Sequence, residues 1–379
     1  MIAEYVIVGG GAYGCAVAYH LASQGRSVVV LEAVGVGGGA SGGPGKRGVR
    51  GNRRDLRELP LLREAHRLWP RLADELGAET GYVRSGSVSL IEEEVVGGRG
   101  GVVAAEAHAY TQTRFGIPTE VWDGARVREV IPGLSGNVRA ALHVPGDGVA
   151  AQYRTTLAYA DAARRSGAVI HEGAKVLELR SRQAGRHARV VTEDGRAVEA
   201  ERAVLLAANS SVPGLVRENF GHVVPAWTVY PQVVLLRPEH AVTLPLLVGH
   251  DSRLISVKSL DGGLIQLSGG WRGRFDPDTG RGEPVEANVR GNIAQLEALL
   301  PAAGELTRVS VHVASPETAT VDQIPFVDAV PGAEGFYLAT GWTGHGWALL
   351  PAASRDIAHL LLHGTAPSTL APFSLSRIP

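Results

Sequence analysis

The chain has 379 residues, with 37 Lys+Arg against 38 Asp+Glu and a 45% hydrophobic content, a balance that excludes a disordered tail and a globally cationic nucleic-acid or lipid binder. The single cysteine, Cys15, excludes an internal disulfide or a multi-thiolate zinc site. A start without a basic leader or membrane-length apolar run sets the cytoplasm as the expected compartment, with neither nucleic acid nor membrane as partner.

Glycine is over-represented, 49 residues where ordinary usage is about 7%, so bare backbone is needed somewhere. Residues 3–8 read as a buried strand, residues 14–23 as a helix stopped by Gly25, and residues 27–31 as a second, parallel strand: a βαβ unit. Residues 35–54 are Gly-rich and then basic. Residues 56–76 follow an amphipathic helical pattern interrupted by Pro60 and Pro70, and read as leaving the first domain. A strand is expected over 87–91, two helical pieces before Ile131-Pro132-Gly133, a helix over 152–166, and strands over 168–171, 175–179, 188–192 and 203–207. Residues 226–270 read as antiparallel strands turning at Asp261-Gly262-Gly263, followed by a helix over 285–300. A strand over 335–340, a Gly-rich turn and a helix over 347–362 close the chain. No repeat or clean linker appears, so two interwoven domains are expected.

Gly9-Gly10-Gly11-Ala12-Tyr13-Gly14 satisfies G-x-G-x-x-G between strand and helix. Gly9 permits the tight turn, Gly11 the approach of a pyrophosphate, and Gly14 the packing of helix on strand. The helix N-terminus favours phosphate charge. Glu32, at the end of the second strand, suits a ribose hydroxyl and would repel a 2′-phosphate. Gly39-Ala40-Ser41-Gly42-Gly43 also matches G-x-S-x-G, but a glycine- and arginine-rich stretch follows where a hydrolase elbow needs a helix; Ser41 reads instead as a contact to a cofactor's phosphate or ribityl chain. In the cationic run, Arg53 and Arg54 read as a solvated face, and Arg50 as a planar donor for a substrate carboxylate. The turn Thr340-Gly341-Trp342-Thr343-Gly344-His345-Gly346-Trp347 offers backbone N–H groups and a helix N-terminus to one face of a flat heterocycle, as a reduced flavin requires. No H-E-x-x-H, paired Cys/His or Walker A pattern points to metal catalysis or nucleotide hydrolysis.

These features together, with the Ala40-Ser41-Gly42 loop, the strand at 204–208, Phe275-Asp276-Pro277-Asp278-Thr279 and Thr320-Val321-Asp322-Gln323-Ile324-Pro325, resemble the FAD-dependent D-amino-acid oxidase family, in its glycine oxidase and sarcosine oxidase branch. The resemblance covers nearly the whole chain. It implies an α/β fold with a Rossmann-like FAD-binding domain (1–55, 140–222 and 312–379) interleaved with an α+β substrate domain on a mainly antiparallel sheet (56–139 and 223–311). It implies noncovalent FAD, since Cys15 sits in the nucleotide helix, with cofactor contacts from Gly9, Gly11, Ala12, Gly14, Glu32, Ala40, Ser41, Arg47, Val176, Ala207, Gly341, Thr343, Gly344, His345, Gly346 and Trp347. Arg50 and His345 are the expected catalytic residues, and Arg50, Tyr230, Trp271, Glu317 and Trp342 the expected substrate contacts. The implied reaction is hydride transfer from a carbon next to nitrogen to flavin N5 in an amino acid or secondary amine of the glycine, sarcosine or N-substituted glycine class. The imine is hydrolysed, and O2 is the acceptor. Alternatives are a flavin dehydrogenase of D-amino or imino acids with another acceptor, an NAD-linked dehydrogenase, or a noncatalytic flavin-binding subunit. The chain departs from the family pattern at Glu317, where relatives carry an arginine, and at residues 265–269 and Ala348, where relatives carry lysine or histidine.

Overall fold

The computed structural model describes residues 1–43, 45–95 and 100–378. Its first sheet runs in the order Phe326–Ala329, Phe336–Thr340, Ala197–Leu206, Ile2–Val8, Val28–Leu31, Val169–His171, with Ala188–Thr192 and Val176–Arg180 as an antiparallel branch. Ile2–Val8 pairs in parallel with both Val28–Leu31 and Ala197–Leu206, the arrangement the βαβ pattern predicts, with the helix Ala12–Ala22 as crossover. Strands buried on both faces lose the period of two and become continuous β-branched runs, as in Val28–Leu31. Helices Ala12–Ala22, Gln152–Arg165 and Gly346–His363 share one core with this sheet, and alanines at 16, 18, 158, 162, 352 and 353 let their backbones approach closely.

The second eight-stranded sheet runs Leu306–His312, Val233–Pro238, Ile265–Ser268, Ser256–Ser259, Leu247–His250, Ser87–Ile91, Ala140–Val144, Glu120–Asp123. Its neighbours are antiparallel except Leu247–His250 against Ser87–Ile91. Alternation gives this sheet two unlike faces. Val88, Val234, Val248, Val257, Ile265 and Leu267 pack with Val289, Leu296 and Leu299 of the helix Glu286–Leu299. The intervening Ser89, Lys258 and Gln266 point the other way and are buried as well.

Several expectations are corrected. Residues 56–76 form the helix Leu59–Leu68, a 3-10 turn Trp69–Arg71 and the helix Leu72–Leu76; Pro60 opens the first helix, where its missing N–H costs nothing. This segment does not leave the first unit: Leu59, Leu62, Ala65 and Trp69 lie in the core of the C-terminal helix, and Trp69 Nε1 donates to Ala348 O at 2.9 Å. Ala140–Val144, assigned by sequence to the first unit, hydrogen-bonds within the second sheet. Lys46–Val49, in the Gly-rich and basic stretch where no element was expected, is a strand paired with Gly148–Ala151; its lysine, arginine and glycine carry no β signal, and tertiary pairing decides.

Candidate active site

The Gly-rich turn is built by contact. Gly9 has φ 111°, and a Cβ there would stand 2.7 Å from Ala207 O. A Cβ on Gly14 would stand 1.9 Å from Gly9 O, so helix and turn touch only because both lack side chains. A Cβ on Gly11 would meet nothing within 4 Å, and Gly11 is the N-cap of Ala12–Ala22 with no side-chain cap. The loop thus presents an open cradle and the uncapped N–H groups of the first helical turn to a phosphate. Glu32 braces the cradle: Oε2 accepts the Gly10 N–H at 2.6 Å and Oε1 the Val34 N–H at 2.9 Å, leaving each oxygen a further lone pair. Ala207 N–H bonds Val8 O at 2.8 Å, and Ala174 N–H bonds Glu32 O at 2.8 Å, which brings the start of Val176–Arg180 beside the cradle; the Val176 side chain itself packs in the core. Cys15 is buried and its thiol is pushed up to about 12, largely by burial. It is a packed, unreactive group.

The C-terminal turn faces the Ser41 loop. Gly341 (φ 78°) passes within 2.4 Å, measured from its would-be Cβ, of Thr320 Cγ2. Thr343 holds a φ of 48° and is pinned by its N–H to Thr318 O at 2.9 Å and by Oγ1, which accepts the Thr320 N–H at 3.2 Å. The Gly344 N–H donates to Glu317 Oε1 at 2.6 Å, and Ser41 Oγ donates to Glu317 Oε2 at 3.3 Å. Glu317 therefore ties together the two loops that the sequence places against a cofactor. Burial raises its carboxyl pKa, against the opposing pull of the Gly344 N–H and of Arg272. Next to Ala40 and Ser41, the Arg47 guanidinium closes the loop on itself, donating to Ser41 O at 2.8 Å and Gly43 O at 2.5 Å.

Arg50 follows the Lys46–Val49 strand and is enclosed. Its Nη1 donates to Asn52 O at 2.8 Å, and burial lowers its pKa to about 10, which leaves it a cation at neutral pH. Asp147 fixes the chain just beyond it, accepting the N–H groups of Gly51 at 2.6 Å and Asn52 at 3.1 Å and the Ser87 hydroxyl at 2.6 Å. Arg53 and Arg54 are not a solvated face: Arg53 pairs with Asp251, while Arg54, buried, donates to Arg50 O at 2.9 Å and His345 O at 3.1 Å. His345 caps Gly346–His363, with Nδ1 3.9 Å from Glu58 Oε2. Burial, then Arg54, Arg50 and Arg272, hold its pKa well below the usual imidazole range, so the ring is neutral.

The aromatic candidates are taken by packing. Trp342 stacks on Tyr13 with centroids 3.7 Å apart and lies over Gly346, whose Cβ would be 2.8 Å from the ring; it belongs to the core of the first unit. Tyr13 OH donates to Gly346 O at 2.7 Å, joining the first and last helices. Trp347 lies 5.3 Å from Trp69. Trp271 covers Gly291 on Glu286–Leu299, and Tyr230 stacks on Phe275 at 5.9 Å and abuts Gly282. Two residues that sequence reasoning missed do reach the site: Arg272, whose charge acts on both Glu317 and His345, and Lys258, which shares its surroundings with Arg47 and Arg50. The available signal was Lys258 alternating with Val257 in Ser256–Ser259, a charge placed where the strand pattern allows burial.

Among the described residues no group of three or more His, Cys, Asp or Glu could hold a metal, and no helix is long and apolar enough to cross a membrane. An open glycine cradle between a parallel strand and a helix start is the arrangement that receives a dinucleotide's pyrophosphate. The chain belongs to the DAO family of FAD dependent oxidoreductases, whose model matches residues 4–360, and its cofactor is FAD. It is 26% identical over 386 residues to the glycine oxidase of Geobacillus kaustophilus (strain HTA426), covering 99% of this chain and 97% of that one. It is 27% identical over 393 residues to the mitochondrial pyruvate dehydrogenase phosphatase regulatory subunit of Mus musculus, covering 99% of this chain but 43% of that protein, so the chain spans less than half of that relative. The L-proline dehydrogenase structure from P. horikoshii superposes with a TM-score of 0.86 at 23% identity, over 99% of this chain and 97% of that one.

Proposed function

We propose that the protein oxidises the carbon–nitrogen bond of an amino acid of the glycine, sarcosine or N-substituted glycine class. The observation that carries this reading is Arg50: a half-buried guanidinium, held by Asn52 O and with no carboxylate hydrogen-bonded to it among the described residues, beside the turn that carries His345. Asp147 and Glu58 act on it only through space, so its remaining N–H donors can take a ligand's carboxylate. The printed names of the relatives, glycine oxidase and L-proline dehydrogenase, fit a substrate with a carboxylate one carbon from nitrogen.

Bound FAD supplies the two-electron acceptor. The residues fit it: Gly9, Gly11 and Gly14 form the phosphate cradle, with Ala12 opening the helix and Glu32 bracing the loop. Ala207 and the segment leading to Val176 border the nucleotide end. Ala40, Ser41 and Arg47 shape the neighbouring loop, and the backbone of Gly341 to Trp347 forms the opposite wall. The chain's own tasks are to hold the carboxylate at Arg50, orient the Cα–H, and exclude water. Arg50, Arg54 and Arg272 disfavour a second positive charge, which lowers the substrate ammonium's pKa and favours the neutral amine that hydride loss requires. Neutral His345 adds no positive charge beside that nitrogen. Loss of hydride from carbon and of the proton from nitrogen leaves a C=N bond; water adds and splits it into glyoxylate and the free amine. O2 takes the two electrons with two protons to give H2O2.

A second reading, a noncatalytic flavin-binding subunit, draws on the likeness to the phosphatase regulatory subunit. Aerobic incubation with glycine, sarcosine and N-alkylglycines, assayed for glyoxylate, free amine and H2O2, tests the proposal. Stoichiometric release supports it, and no product from any member overturns it.

A further inference from the structure

The second sheet carries a cation that nothing in the fold consumes. Lys258 lies on the face opposite the apolar core, cross-strand from Gln266, and is 5% exposed. Its one hydrogen bond goes to Ser256 Oγ at 3.2 Å, and among the described residues no carboxylate pairs with it. Gln266 Oε1 and Ser89 Oγ, on the same sheet face, are buried without a partner. Arg47 and Arg50 act on Lys258 through space, and the segment that carries them lies against the same sheet: would-be Cβ atoms on Gly45 and Gly48 fall 2.8 Å from Gln266 Oε1 and 2.9 Å from Leu247 Cδ2. Arg47 spends its donors on the Ser41 loop, whereas Arg50 and Lys258 both keep N–H groups unspent. A buried ammonium with one weak hydroxyl partner, flanked by guanidinium groups and unsatisfied polar atoms, is destabilising on its own terms. Burial and these arginines lower its pKa to about 7, and an anion placed between them would restore its charge.

We propose that Lys258 and Arg50 together grip the substrate's carboxylate, with Lys258 as the sheet-borne determinant that makes the site select amino acids over simple amines. This rests on the reading of the site given above.

The test uses FAD-loaded protein and propanoate, a carboxylate that cannot be oxidised here because it has no amine, with binding read by calorimetry. Lys258→Met should weaken propanoate about ten- to a hundredfold, the worth of one buried hydrogen bond to a charged group, and Lys258→Arg should recover most of it. FAD content and melting temperature identify any variant that has lost its fold, in which case the comparison of parent with Lys258→Arg carries the test: propanoate held within a few-fold supports the role. Equal propanoate affinity in folded Lys258→Met and parent overturns it. Amine oxidation with unchanged propanoate binding in Lys258→Met would sink this inference alone; propanoate binding that depends on Lys258, with no amine oxidised, would sink the oxidase reading alone.

Discussion

Glu317 and Gly344 are joined by a 2.6 Å hydrogen bond from the backbone N–H to the carboxylate, and the same carboxylate reaches Ser41 on the facing loop. A single buried side chain thus sets the spacing of the two loops expected to enclose the cofactor ring.

The burial that raises the Glu317 pKa has a signed consequence. A carboxyl whose folded pKa lies above its unfolded value contributes stability fully at low pH and loses it as pH rises through the folded pKa. Glu317→Gln removes that loss, so its melting temperature relative to parent should rise between about pH 5 and about pH 8. A difference that shrinks over the interval contradicts the assignment.

Gly11 and Gly14 separate binding from folding. Gly14→Ala drives a methyl into Gly9 O and should destabilise the chain by about 1–3 kcal/mol or more, with FAD lost. Gly11→Val meets open space but makes a poorer N-cap, so the apoprotein should lose no more than about 1 kcal/mol while FAD affinity falls at least tenfold. Denaturant melts of apoprotein and FAD titrations measure both; unchanged FAD affinity in Gly11→Val excludes the cradle.

Asp147 positions Arg50 through the Gly51 and Asn52 N–H groups. Asp147→Asn should cost about 1.5–3 kcal/mol of stability and raise KM for carboxylate substrates more than it lowers kcat, with FAD content unchanged. Steady-state kinetics read the split. A fall confined to kcat would mean that Asp147 does not act through Arg50.

His345 is held neutral, its pKa well below 6.5. Such a group contributes stability above its unfolded pKa and loses it as pH falls toward the folded value. Between about pH 7 and about pH 9 it does not titrate, so His345→Gln should leave the shape of the kcat/KM profile there intact even where rates drop. A limb present in parent and absent from the variant, in that interval, contradicts a neutral imidazole.

The cradle was legible in the sequence because its glycines are imposed by local contacts: Gly9, Gly11 and Gly14 sit where strand, turn and helix meet within a few residues. The end strands and helices were legible for the same reason. What escaped depends on partners far along the chain. Lys46–Val49 becomes a strand only through Gly148–Ala151. Trp342 is spent on Tyr13 and Trp271 on Gly291, which no local pattern around either tryptophan announces. Arg54 looked like surface because its acceptors, Arg50 O and His345 O, are backbone carbonyls without a sequence signature. Lys258 in isolation reads as a solvent-facing lysine; it is buried on a sheet face that Gly45 and Gly48, distant in sequence, approach.

The most direct measurement is an anaerobic titration of the FAD-loaded protein with glycine, sarcosine, D-alanine, D-proline and N-alkylglycines, following the oxidised flavin absorbance. The account predicts that at least one of these acids bleaches the flavin, that the corresponding amine without its carboxylate does so far less well, and that air restores the colour. An oxidised spectrum unchanged by every member would contradict it.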